Sequence, residues 1–338
     1  MKYLIVSEKG KSLGLARRLE QEGHGVLMHI VAPASQKKGQ GLASILRTPR
    51  PIMDSEGVYN LSAIEWLMST ARPDITLFDS PITHVMATRM QNAGYRVLGV
   101  NTEVFSSPVE RTPLSVNAFF NGTRFMAPFT LTQHYYALFN DDLGPRTPMG
   151  MTAEFIDPIH NFAKLLQETV APTLRKTTYH GPVTAYINLE GSISDYFAGF
   201  STVDNLLFEA LSGSISQLLV DCANGVDANH MTVAKNAVAV RATLPPFPYG
   251  NTQQTSSIFG LNEGNLKHFW PNDLAYAEDT YSTTGESNDL GYFTARGNSV
   301  QEAKKRVYRT LHNLESPHYR QYRTDIGAQR SELAHAQV

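Results

Sequence analysis

Along the first hundred residues the apolar positions switch between a strand-like and a helix-like spacing. Residues 2–7 form a compact apolar run. A Gly-containing turn from Glu8 to Gly14 follows, and then Leu15-Ala16-Arg17-Arg18-Leu19 places its apolar residues on one helical face. A second strand is predicted at 24–31, and two more at 73–79 and 96–100 with a helix over 82–93 between them. This alternation predicts an α/β fold with a parallel sheet whose ligands sit beyond the carboxyl ends of the strands. The turns after Val6 and Phe78 are therefore the places to look.

The pattern changes in the middle of the chain. Two alternating runs meet at Asn121-Gly122, a hairpin signal. A helix is predicted over 158–174, with Ile159, Phe162, Leu165, Leu166 and Val170 at helical spacing. Strands follow at 182–189 and 195–200, then a helix over 203–220 weakened by Gly213, and a strand at 236–243. Three segments result: an N-terminal parallel-sheet domain over 1–104, a central α+β core over 105–235, and a C-terminal α+β domain over 236–338.

Composition narrows the function classes. A net charge of −2 gives no overall electrostatic case for nucleic acid, although a local basic patch is compatible with it. Cys222 is the single cysteine, so neither an intramolecular disulfide nor a cysteine metal cluster can form. No apolar run approaches the roughly 18 residues of a membrane span, and a reducing cytoplasm is the expected compartment. Gly10 and Gly14 do not make a dinucleotide-binding fingerprint. Lys9 and Lys11, beside a helix N-terminus, either hold a phosphate or form a solvated loop. Residues 33–51 carry Lys37, Lys38, Arg47 and Arg50 without apolar periodicity, which predicts a mobile basic loop that grips phosphate or is simply solvated.

Several motifs occur in a fixed order. The N-terminal strand–turn–helix is followed by the Asp79-Ser80-Pro81 turn, then by Asn121-Gly122 and Thr132-Gln133-His134. Next come Asp142-Leu143-Gly144-Pro145-Arg146-Thr147-Pro148-Met149-Gly150 and Ala171-Pro172-Thr173-Leu174-Arg175. The tail has Leu290-Gly291-Tyr292-Phe293-Thr294-Ala295-Arg296-Gly297, then Tyr322-Arg323-Thr324-Asp325-Ile326-Gly327. This series resembles the phosphoribosylamine–glycine ligase family, ATP-grasp enzymes that join glycine to a phosphoribosylated amine. The resemblance implies a pre-ATP-grasp N-terminal domain, an ATP-grasp-like core and a ligase-family C-terminal domain.

The departures from the family pattern bear on cofactors. A large ATP-binding lobe stands between the family's N-terminal domain and its hairpin, where this chain has about fifteen residues, Val104 to Ala118. No Gly-Lys-Gly run is present to cradle a triphosphate. The family's metal-binding Glu-Phe-Asn-x-Arg aligns with Asp195-Tyr196-Phe197-Ala198-Gly199, which keeps one carboxylate. A shortened family form is therefore expected, without ATP, Mg²⁺ or another bound metal.

The resemblance leaves the amino-acid and phosphate side of the cleft, in a substrate loop over 132–150. His134, Asp142 and Arg146 are its catalytic candidates: a proton carrier near neutral pH, a base or ammonium ligand, and a fixed cation. Lys9, Lys11, Ser80, Gln133, Asp141, Gly144, Thr147, Gly150, Asp195 and Arg323 are the substrate-binding candidates. Each has a structural alternative. Arg146 can pair with Asp142, His134 can be an ordinary strand histidine, Asp195 can cap a turn, and Arg323 with Asp325 can fix the tail. Tyr319, Arg320, Tyr322, Arg323 and Arg330 suit base stacking or plain packing.

Three functions are weighed. The first is transfer of an amino acid such as glycine, without ATP, onto a phosphate-activated nucleotide or DNA acceptor, including viral hypermodified DNA. The second is a catalytically silent binding or scaffolding protein. The third is the ligase reaction itself with ATP.

Overall fold

The computed structural model describes residues 1–31, 35, 37–53, 58–99, 112–249, 255–316 and 319–328. The chain opens with β1 (Lys2–Ser7), α1 (Leu13–Gln21), β2 (Gly25–Ile30), α2 (Leu61–Ala71), β3 (Ile75–Phe78), α3 (His84–Asn92) and β4 (Arg96–Gly99). These strands form a four-stranded parallel sheet in the order β2-β1-β3-β4. Alternation along β1 sorts its side chains to two faces. Tyr3 and Ile5 pack with Leu13, Leu15 and Leu19 of α1, while Leu4 and Val6 pack with α2 and α3 through Ile64, Leu67, Met86 and Met90. The expectation for this region left out α2, which Asn60 starts by accepting from the Ala63 N–H at 3.2 Å.

The next elements are β5 (Leu114–Phe120), β6 (Phe125–Ala137), β7 (Arg146–Ile156), α4 (Asn161–Thr169), α5 (Ala171–Leu174), β8 (Gly181–Ile187), β9 (Ile193–Ala198), α6 (Asp204–Ala210) and α7 (Ile215–Ala223). Then come β10 (Asn236–Thr243), β11 (Ser257–Ile258), α8 (Glu263–Leu266), β12 (Phe269–Pro271), β13 (Leu274–Ala277), β14 (Thr280–Thr283), β15 (Asp289–Gly297) and α9 (Val300–His312). Among the described residues, β12-β15-β10-β7-β6-β5-β8-β9 form one eight-stranded antiparallel sheet, and β11-β14-β13 a smaller one. The large sheet exceeds the reduced core expected, because β10 pairs with β7 and joins the central and C-terminal segments.

The expected hairpin at Asn121-Gly122 is β5–β6, with Asn121 Oδ1 accepting the Thr123 and Arg124 N–H groups. The expected loop over 132–150 is instead the end of β6, a short turn and the start of β7. Asp141 and Asp142 turn the chain there with φ of 57° and 55°. Two predicted helices are each divided. The 158–174 helix breaks at Val170, because Pro172 offers no N–H to the carbonyl four residues earlier. The 203–220 helix breaks where Leu211 is extended, and Ser214 caps α7 by accepting from the Gln217 N–H at 3.0 Å.

Within the basic loop, expected to be mobile, Lys38 and Gly39 are docked against the C-terminal segment. Lys38 is buried with its Nζ 3.3 Å from the Glu286 carboxylate, and the Gly39 N–H donates to the Leu274 carbonyl on β13. The connection from β4 to β5 is residues 100–113, so the short link read from Val104 onward lies mostly outside the described residues.

Candidate functional site

A cavity of about 390 Å³ lies where the carboxyl ends of β1 and β3 face the eight-stranded sheet and the C-terminal strands. Its charged and titratable lining includes Lys11, Asp79, His134, Asp195, Asp204 and Arg241. The position agrees with the rule for open parallel sheets, since Lys11 and Asp79 lie in the turns after β1 and β3.

Asp79 organises the first turn. Its carboxylate accepts from Ser7 Oγ at 2.5 Å, Ser12 Oγ at 2.7 Å and the Glu8 N–H at 3.3 Å. Burial pushes its pKa up, against the Ser7 and Ser12 hydrogen bonds and the nearby Lys11 charge. Ser80 donates to the Glu8 carboxylate, and Lys9 is exposed with its Nζ 3.9 Å from Glu8. Lys9 and Ser80 thus support the turn and do not line the cavity.

His134 lines the cavity, and behind it alternate residues of β5 and β6 form a buried polar row. Ser115, Asn117, Thr130, Thr132 and His134 are buried and hydrogen-bonded to one another, while Leu114, Val116 and Phe129 pack against α4 and α5. Asn117 Nδ2 donates to Thr130 Oγ1 at 3.0 Å and Thr132 Oγ1 at 2.9 Å, so its Oδ1 is the atom that accepts from Ser115 Oγ. With the Ser115 proton directed to Asn117, the 2.8 Å contact between Ser115 Oγ and His134 Nε2 needs the proton on Nε2. His134 Nδ1 is then the basic nitrogen of the ring. His134 stacks on Tyr136 with ring centroids 5.4 Å apart, and the Arg146 guanidinium lies 5.2 Å from the Tyr136 centroid. Tyr136 thus lies between His134 and Arg146, of which His134 lines the cavity and Arg146 is exposed and does not.

Two acidic side chains close the far wall. Asp195 lies on β9 with Oδ1 accepting the Tyr196 N–H at 2.8 Å. Asp204, at the start of α6, is 4% exposed, and burial raises its pKa to about 7 despite a 2.6 Å hydrogen bond from the Ser201 N–H. A carboxyl group that titrates near neutral pH can take or give a proton at working pH.

The remaining wall is a locked ion pair. Arg241 donates through Nε to Asp289 Oδ1 at 2.9 Å and through Nη2 to Oδ2 at 2.5 Å, and through Nη1 to the Pro148 carbonyl at 3.0 Å. Burial works to raise the Asp289 pKa, but the Arg241 charge and hydrogen bonds override it and hold it below the usual range. The pair is fully ionised and rigid, with Arg241 also 4.5 Å from the Phe247 ring centroid.

Other sequence candidates fall elsewhere. Asp142 accepts from Arg323 Nη1 at 2.6 Å, and Arg323, 1% exposed, also donates to Asp325 at 2.8 and 2.6 Å. The Arg323–Asp325 pair is the structural alternative read for the tail, whereas Asp142 pairs with Arg323 and not with Arg146 as its alternative had it; none of the three lines the cavity. The Asp141 N–H donates to Asp325, and Gly144 is a left-handed turn residue at φ 84°. Thr147 accepts from Arg241 at 3.4 Å. A Cβ on Gly150 would lie 2.7 Å from Ile326 Cδ1, so that glycine admits the tail and not a substrate. Gln133 alternates with His134 along β6 and does not line the cavity. At the C-terminus, Arg320 donates to the Leu311 carbonyl and Tyr319 is exposed, while Arg330 lies outside the described residues.

The sequence candidates omit Asp79, Asp204 and the Arg241–Asp289 pair. A signal for Arg241 exists in the sequence: it is the one charge inside the apolar run Ala237-Val238-Ala239-Val240-Arg241-Ala242. Among the described residues, no three His, Cys, Asp or Glu side chains gather in a way that could hold a metal ion.

The fold is similar to that of phosphoribosylamine–glycine ligase and related ATP-grasp carboxylases. Phosphoribosylamine–glycine ligase from Thermotoga maritima superposes with a TM-score of 0.66 at 14% identity, over 96% of this chain and all of that one. The biotin carboxylase subunit of pyruvate carboxylase gives 0.61 at 9% identity, over 95% and 92% of the two chains. N5-carboxyaminoimidazole ribonucleotide synthetase from Thermotoga maritima gives 0.53 at 14%, over 94% and 100%. No protein-family model and no curated protein matches the chain by sequence. At these identities the likeness is one of fold.

Proposed function

We propose that the protein is a group-transfer enzyme that joins the amine of an amino acid, glycine in the first instance, to a nucleotide already activated as a phosphate ester. The acceptor is a hydroxymethylated base carrying that phosphate, free or within DNA, as in hypermodified viral DNA. The amine nitrogen attacks the carbon that bears the phosphate. The C–N bond forms, the C–O bond breaks, and its electron pair leaves with the phosphate. The ammonium is deprotonated first, by His134 Nδ1 or by Asp204, and Lys11 offsets charge on the departing phosphate.

The observation that carries this reading is that Asp204, whose burial raises its pKa to about 7, lines one cavity with His134 and Lys11. What supports the part of the reading that dispenses with ATP is a feature of the sequence, the stretch of about fifteen residues from Val104 to Ala118 where the family has its ATP-binding lobe. A second reading, ATP-dependent ligation, is favoured by the fold likeness to a ligase and a synthetase.

The test supplies radiolabelled glycine and phosphorylated hydroxymethyl-DNA without ATP. Label should enter the DNA, and Asp204→Asn and His134→Gln should each lower its rate by about 100-fold. Absence of label across several amino acids removes the proposal. Binding of glycine or duplex by calorimetry without turnover would point to a catalytically silent scaffold.

A further inference from the structure

The aromatic rings of the cleft are not accounted for by the transfer chemistry. Phe197 is half-buried on β9 and lines the cavity two positions along the strand from Asp195. Tyr186, on the neighbouring strand β8, pairs in register with Asp195, and its ring centroid lies 6.1 Å from that of His134. Tyr136 continues the row, its ring within 7° of parallel to the His134 ring. Phe197, Tyr186 and Tyr136 belong to none of the apolar clusters formed by the described residues, whereas Phe200 and Phe208 line the same cavity from within such a cluster. Half-buried rings gathered in a cavity, outside any core, make a surface for a flat ligand.

The polar lining suits the edge of a heterocycle. Asn205, in the first turn of α6, offers an amide that both donates and accepts. Of the lysine and arginine side chains in the lining, Arg241 is committed to Asp289, which leaves Lys11 to meet a phosphate. The cavity is thus built for a base and not for a run of phosphates. The reacting groups add a second constraint. His134 and Asp204 are 9% and 4% exposed, so a carbon attacked beside them must enter the cavity. A base within a paired duplex cannot make that entry, and enzymes that work on bases in closed pockets take them out of the stack. The volume of about 390 Å³ stands at the lower end of the roughly 300–1,000 Å³ of small-molecule sites, which suits one nucleotide and not a base pair.

Resting on the transfer reading for the identity of the acceptor, we propose that the cleft takes that acceptor as a single unpaired base stacked on Phe197 and Tyr186. Asn205 hydrogen-bonds the base edge, and the phosphate of the base lies toward Lys11. The base comes from a free nucleotide, a single strand or a position extruded from a duplex.

The chain has two tryptophans, and Trp66→Phe leaves Trp270, in the cavity wall, as a fluorescent reporter. The full chain with this change is titrated, without glycine, with the phosphorylated hydroxymethyl nucleotide and with a short single strand that contains it. The same strand follows in a matched and in a mismatched duplex. The nucleotide and the single strand should quench Trp270 saturably, and the matched duplex should bind at least about tenfold more weakly, with the mismatch recovering part of the loss. Phe197→Ala should weaken the nucleotide by about tenfold, whereas Phe197→Tyr, which keeps a ring, should bind within about twofold. The proposal is overturned if the matched duplex binds as tightly as the single strand, if Phe197→Ala binds unchanged, or if neither fluorescence nor calorimetry detects the nucleotide. Binding of the expected order without glycine transfer upholds it and removes the transfer reading. Transfer into a matched duplex as fast as into a single strand does the reverse. Should Phe197→Ala fail to fold, the comparison of single strand with matched duplex decides by itself.

Discussion

Asp204 couples burial to protonation within one side chain. Its folded pKa of about 7 lies above the ordinary value of 3.8, so between these values the folded state holds a proton that the unfolded chain has released. Stability from this group is therefore full below about pH 4 and is lost as pH rises to about 7, by on the order of 3 kcal/mol. Denaturation of the wild type and Asp204→Asn from pH 4.5 to 7.5 should show a fall in the wild type that the variant lacks. Parallel curves would contradict the assignment. His134 supplies a second case, because Ser115 and Asn117 fix its tautomer. Ser115→Ala should lower the transfer rate about tenfold and shift its pH profile, whereas a purely structural serine would leave the profile in place. In the sequence, His134 stood out by its chemistry and by the motif it follows. Asp204 did not, because its pKa comes from a burial that no local pattern records.

At the scale of elements, residues with a local signature were legible and those shaped by distant contacts were not. The strands at 2–7, 96–100 and 236–243 carried their own apolar pattern, and Asn121-Gly122 marked its hairpin. The breaks at Val170 and Leu211 depend on single residues within otherwise helical spacing. Ser214 shows the local term: its cap starts α7, and Ser214→Ala should cost about 1 kcal/mol in urea denaturation. No change would mean that packing of α7 alone sets this helix. The substrate loop over 132–150 was misread because motif order suggested a loop where alternation, with Thr130, Thr132 and His134 on one face, marks a strand.

Across the whole molecule, the tail and the sheets define which residues can meet. Arg323 joins residues far apart in the chain, Asp142 in the β6–β7 turn and Asp325 in the tail. Arg323→Ala should destabilise the protein by about 1–3 kcal/mol and expose the tail to limited proteolysis, since it removes a buried guanidinium and its hydrogen bonds to Asp142 and Asp325. Asp142→Ala should keep transfer activity within about twofold per folded molecule; a 100-fold loss would return Asp142 to the catalytic machinery. The cleft itself was legible as a location, where the turns after β1 and β3 meet the central sheet, but its Arg241–Asp289 wall was not. That wall depends on the pairing of β10 with β15, which brings together residues 48 positions apart.

The most direct measurement counts products in one reaction that contains glycine, a phosphorylated hydroxymethyl nucleotide, ATP and Mg²⁺. The account predicts one inorganic phosphate released per glycyl conjugate, with no ADP formed and the same yield when ATP is omitted. Conjugate formation that stops without ATP and tracks ADP one for one would contradict it.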